Sequence, residues 1–130
     1  MTDFEKVKQY LFELGFKIED EDAADEIVTI TDKSIGINKM VIDCKAPILI
    51  LEQFMFELKN TNNAHILLKL LQMNRELIHG AFVVDEEAKK VLYRDTLQLE
   101  NLDLNEVKGS IDSLSITTVE YLDELLEFTK

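Results

Sequence analysis

The chain has no tryptophan, a single cysteine, a single proline and four glycines in 130 residues. One thiol, Cys44, cannot close an internal disulfide, so the expected setting is reducing and cytoplasmic. The scattered glycines supply no phosphate-cradling loop, and Ser34-Ile35-Gly36 is not a nucleophile elbow. Long apolar runs are missing too. ILIL at 48–51 falls far short of the roughly 20 residues that span a bilayer, and MTDFEKVKQY at the start has no signal-peptide core. Positive charge is scarce: 14 basic against 26 acidic side chains leave a net −12, which repels phosphate backbones and anionic lipid. Nucleic acid and membrane are therefore not expected as partners.

The groups that perform chemistry are equally thin. The two histidines, His65 and His79, fall at opposite ends of one expected helix, about 21 Å apart at a rise of about 1.5 Å per residue, and cannot share a metal within one chain. Cys44 has no neighbouring histidine or second cysteine and reads as a small strand side chain. Asp85, Glu86 and Glu87 suit a solvated hairpin turn, and the run EDEDAADE at 19–26 lacks the glycine and alternation of a calcium loop. The expectation is a protein without enzymatic activity, metal or cofactor.

What is present is an ordinary globular balance, 46% hydrophobic and 31% charged, enough for one domain over residues 1–130. Phe4, Val7, Leu11 and Leu14 recur at helical spacing after Thr2-Asp3, with Gly15 as a stop. The period then becomes strand-like: FKIED as an uncertain strand at 16–20, EIVTIT at 26–31, a run from Ile35 to Cys44 broken at Asn38-Lys39, and PILILEQFMFEL at 47–58, with Pro47 at a strand start. Asn60 to Asn63 is a polar break that caps a long helix at about 62–77. Strands AFVVD (81–85) and KVLYRDT (90–96) follow, and Asp103 with Glu106 opens a last helix running to about Phe128. The order α-β-β-β-α-β-β-α with short turns predicts an α+β fold whose antiparallel sheet is flanked by helices.

Two segments carry more apolar surface than one core contact needs. On helix 62–77, Ile66, Leu70, Met73 and Leu77 share one side, whereas Ala64, Leu67, Leu71 and Ile78 occupy a second side rotated by roughly 100°. On strand 47–58, alternation sends Ile48, Ile50, Phe54 and Phe56 one way and Leu49, Leu51 and Met55 the other. Either helices cover both faces of the sheet, or part of this surface meets another chain.

The segment LLKLLQMNRELIHGAFVVDEEAKKVLYRDTLQLENLDLNEV resembles the second half of the Tir-chaperone-like (CesT-type) family of type III secretion chaperones and its YbjN-like relatives. Its leucine-rich run plus Asn leads through a Gly to an AFVVDEE strand end, a hairpin and an LDLNEV helix start. The resemblance implies a small cytoplasmic homodimer that holds a segment of a client protein, extended, against apolar patches. It implies dimer contacts at Leu67, Leu71, Asn74, Ile78 and Phe82, and client contacts at Phe4, Leu11, Ile50, Leu51 and Phe54. A YbjN-like regulatory or sensory protein that binds a small ligand is the second reading. Asn74 itself has two: its amide bridges backbone groups where the helix meets the next strand, or it fixes register at a dimer seam. Gly80 is expected to take a positive φ after the helix.

Overall fold

A computed structural model describes residues 1–59 and 61–130. Asn60, the first residue of the expected polar break, lies outside the described residues. Helix α1 spans Asp3–Glu13. Thr2 Oγ1 accepts from the Glu5 amide at 3.1 Å and Glu5 Oε2 accepts from the Thr2 amide at 3.2 Å, a reciprocal cap that satisfies two otherwise unpaired donors. Phe4, Val7 and Leu11, three and four residues apart, form its buried stripe. The strands follow as β1 (Ile18–Asp22), β2 (Ile27–Asp32), β3 (Ile37–Lys45), β4 (Ile48–Glu57), β5 (Ala81–Val84) and β6 (Lys90–Gln98), with α2 (Ala64–Asn74) before β5 and α3 (Leu104–Glu120) and α4 (Leu122–Phe128) after β6. The α+β class and the antiparallel sheet stand as the sequence implied. All five pairings are antiparallel, in the spatial order β1-β2-β3-β4-β6-β5. The uncertain strand is real, beginning at Ile18.

Strand alternation sets two unlike faces. Val28, Ile30, Met40, Ile42, Leu49, Leu51, Tyr93 and Phe82 point to one side and are buried beneath the helices, joining the α1 stripe and Val107, Ile111 and Leu114 of α3 in one continuous core. On the other side Val41 and Phe54 are exposed, and Ile27, Ile48, Ile50 and Leu92 are half-buried. The helices thus cover one face. Simple alternation fails in β4, where the ladder with β6 shifts register between Phe54 and Phe56. This bulge sends Phe56 into the core with Leu49 and Leu51 and leaves Phe54 on the open side with Ile48 and Ile50. The Asn38-Lys39 break is absorbed within β3: Lys39 takes φ 51°, and the buried Gln53 side chain accepts from the Asn38 amide (3.0 Å) and donates to the Gly36 carbonyl (3.1 Å).

The helices differ from expectation at their ends. Helix α2 runs 64–74 rather than 62–77: at its start Asn63 donates its side-chain amide to the Lys59 carbonyl and gives no side-chain cap, and past Asn74 the amides of Arg75, Glu76 and Leu77 bond three residues back, to Gln72, Met73 and Asn74, in tight turns. The last helix is broken at Tyr121 (φ −106°, ψ 13°), and α4 turns so that Phe128 meets the Phe56 ring, centroids 5.9 Å apart. Asp103 does cap α3, accepting from the Glu106 amide at 2.8 Å.

Candidate functional site

Helix α2 buries Ile66, Leu70 and Met73 and turns its neighbouring stripe outward. Leu67 is half-buried, Leu68 is exposed and Leu71 is 67% exposed. The helix lies beside β5, the last strand of the sheet. Asn74 closes the seam: its Oδ1 accepts from the Phe82 amide at 2.7 Å and its Nδ2 donates to the Phe82 carbonyl at 3.1 Å. Between helix and strand runs an apolar groove of about 320 Å³ bordered by Leu67, Leu71, Asn74, Phe82 and Val84. Phe82 turns its ring into the core, edge-on to Tyr93 at 5.9 Å and 88°. Four of the five residues assigned to a dimer contact therefore come together. Ile78 stands apart, in the turn after α2, 84% exposed and beside Ile116 of α3. Gly80, at φ +74°, completes that turn, and a Cβ there would stand 2.8 Å from the Tyr93 ring.

The open face of the sheet is the second apolar surface. Cross-strand neighbours Leu92 and Phe54 lie at one end, with Val83 beside Leu92. Ile50 and Ile48 lie further along β4, and Asp43 separates Ile50 from Ile27. Between the two groups Arg94 Nη1 meets Glu52 Oε2 at 2.8 Å, directly across the β4–β6 ladder. Of the residues assigned to client contact, Ile50 and Phe54 (49% exposed) are on this face. Phe4, Leu11 and Leu51 are core residues instead, Leu11 with no exposed surface and Leu51 with 1%. They point beneath the helices because they sit on the inward stripe of α1 and the inward parity of β4. Val41, Leu92 and Val83 had escaped notice. The alternation in AFVVD and KVLYRDT carried the signal for the latter two, since each is the outward member of its strand. Phe54 also borders a cleft of about 210 Å³ with Leu122 and Leu126 of α4, which continues the apolar surface round the end of the sheet.

The titratable groups are arranged for structure. The Tyr93 and Ser113 hydroxyls, 2.8 Å apart, converge on the His79 carbonyl oxygen and tie the turn before β5 to α3. Burial pushes the Tyr93 phenol up. The Cys44 thiol is pushed up to about 11 by burial and then by Glu26, Asp3 and Asp43, which disfavours the reactive thiolate. Among the described residues no group of three or more His, Cys, Asp or Glu side chains could hold a metal ion, and no helix is long and apolar enough to cross a membrane.

The CesT_Tir_1 family model matches residues 1–130. No curated protein matches the chain significantly in sequence. Solved structures match in fold. YbjN from E. coli superposes with a TM-score of 0.70 at 14% identity, covering 93% of this chain and 92% of YbjN. A chain of the heterodimeric ExoU–SpcU complex from the type III secretion system of Pseudomonas aeruginosa gives 0.67 at 13% identity, over 95% of this chain and 98% of that one. A chain of the Yersinia pestis complex between the type III secretion chaperone SycH and a stable fragment of YscM2 gives 0.59 at 13% identity, over 98% and 99%.

Proposed function

This chain belongs to the CesT_Tir_1 family, and from that membership we propose that it is a non-enzymatic chaperone-like adaptor, which holds a segment of a client protein on the open face of its sheet and works as a homodimer joined through α2 and β5. The observation that carries the reading is the sheet face without a helix over it, where Phe54, Val41, Leu92 and Ile50 leave apolar surface facing solvent. Burying roughly 400 Å² of such surface at about 25 cal/mol per Å² contributes on the order of 10 kcal/mol before association costs, enough for micromolar or tighter binding. The α2–β5 groove supplies a separate apolar surface for the dimer contact, and the SycH–YscM2 and ExoU–SpcU complexes, in which a chain is held with a different protein, support the client reading.

The test is site-specific photo-crosslinking in the native host. A benzophenone side chain at position 54 is expected to capture a discrete client, with the crosslink in one segment of it. The same group at Lys89, in the β5–β6 hairpin, is expected to capture nothing comparable. Equal capture from both positions, or none from position 54, overturns the client surface.

A further inference from the structure

A cleft of about 500 Å³ opens between the start of α2 and the end of α4, and its charge runs against that of the whole molecule. Acidic side chains outnumber basic ones 26 to 14 over the chain, yet here three basic side chains, Lys59, Lys69 and Lys130, meet one acidic side chain, Glu127, with His65 beside them. Glu127 Oε2 lies 3.3 Å from Lys130 Nζ, so that pair is mutually neutralised. Lys59 and Lys69 have no carboxylate within ion-pair distance among the described residues. Two ammonium groups bordering one recess concentrate positive potential there, and an anion with charge to match both relieves it. The walls are not only polar. Ile66 and Phe128, both buried in the core, form the apolar side of the recess. A ligand suited to this cleft therefore carries a doubly charged head and an apolar body, and its size falls within the usual range of small-molecule sites, roughly 300–1,000 Å³.

We propose that the cleft binds a small organic phosphate, with the phosphate dianion between Lys59 and Lys69 and its organic part against Ile66 and Phe128. A carboxylate brings one charge to two ammonium groups. A phosphomonoester brings close to two above pH 6, with three acceptor oxygens. Lys69 is two residues from Leu71 on α2, but the cleft and the α2–β5 groove share no lining residue, and the site does not rest on client binding or dimerisation.

The test is titration of the ¹⁵N-labelled full chain with phenyl phosphate, followed by amide shifts, with phenol and inorganic phosphate as half-ligands. Saturable shifts confined to Lys59 and residues 61–69 and 126–130 are expected for phenyl phosphate, with each half-ligand binding at least about tenfold more weakly because it satisfies one side of the cleft. Lys59→Gln with Lys69→Gln is expected to weaken phenyl phosphate at least about tenfold while leaving the other amide positions unchanged. The control pair Lys33→Gln with Lys39→Gln is expected to bind as the parent does. No saturation by about 10 mM, which corresponds to less than about 3 kcal/mol of binding, overturns the site. So does equal loss in the control pair, or parent-like binding by the Lys59/Lys69 variant.

Discussion

Asn74 and Phe82 are joined by two hydrogen bonds that use both ends of one side-chain amide: Oδ1 takes the Phe82 N–H at 2.7 Å and Nδ2 gives to the Phe82 carbonyl at 3.1 Å. The amide stands where a seventh strand would bond. It pairs backbone groups of the edge strand without offering a ladder that could be extended. Asn74→Ala is expected to lower unfolding free energy by about 1–3 kcal/mol, because two part-buried backbone groups lose their partners. Urea denaturation measures that loss. The freed edge should also raise aggregation, read by light scattering at constant protein concentration.

Leu71 tests the proposed dimer without disturbing the core, since most of its side chain is outside it. The parent is expected to give about twice the 15.0 kDa chain mass in light scattering at micromolar concentration. Leu71→Asp should run as a folded monomer, because a charge buried unpaired at an interface costs several kcal/mol. A parent that stays monomeric throughout a concentration series removes the dimer.

Phe54 and Leu51 lie three positions apart on β4 and should fail differently. Phe54→Asp is expected to weaken client peptide binding at least about tenfold with little change in unfolding midpoint, since its side chain is half outside the fold. Leu51→Ala should cost about 2–5 kcal/mol of stability through a core cavity. Calorimetry between 50 and 500 mM NaCl is expected to show a negative heat-capacity change and an affinity nearly indifferent to salt, the signature of apolar burial rather than charge.

Cys44 sets a pH limit. Its thiol titrates near 9.0 when free and is pushed up to about 11 in the fold by burial and the nearby acids Glu26, Asp3 and Asp43. The unfolded chain therefore loses this proton first as pH rises. The associated stability is fully present below pH 9 and is lost as pH climbs towards 11, by about 2–3 kcal/mol. The raised Tyr93 phenol acts in the same direction at still higher pH. Denaturation midpoints at pH 8 and pH 10.5 check this, with Cys44→Ala expected to flatten the difference.

Periodicity made most of this fold legible. Phe4, Val7 and Leu11 fix α1, and Leu49 and Leu51 fix the inward parity of β4, because a wrong register would leave apolar surface wet along its whole length. Asn74 was legible in outline, since a polar group in an apolar arc has to find partners. The bulge at Phe54–Phe56 was not, because one extra residue reverses parity with no glycine or proline to mark it. Nor was the break at Tyr121: Leu125 and Phe128 keep the three-and-four spacing across it, so the pattern reads as one helix while the backbone bends. The residues assigned to client contact divide for a related reason. Ile50 and Leu51 are equally apolar neighbours in the chain, and only the location of the helices separates an outward side chain from an inward one.

The strand order also sets a timetable for synthesis. β6 pairs with β4, but α2 and β5 are made between them, so β4 leaves the ribosome with one side of its backbone unpaired until about 40 more residues have followed, on the order of 2–8 s at elongation rates of roughly 5–20 residues per second. During that interval ILILEQFMF is an apolar strand with a free edge, and its neighbour on the other side, β3, is already in place to hold it extended. Anything that slows translation between Glu57 and Gln98 therefore lengthens the exposure of the stickiest segment of the chain, so rare codons in that stretch should reduce soluble yield more than the same codons placed after Asp103.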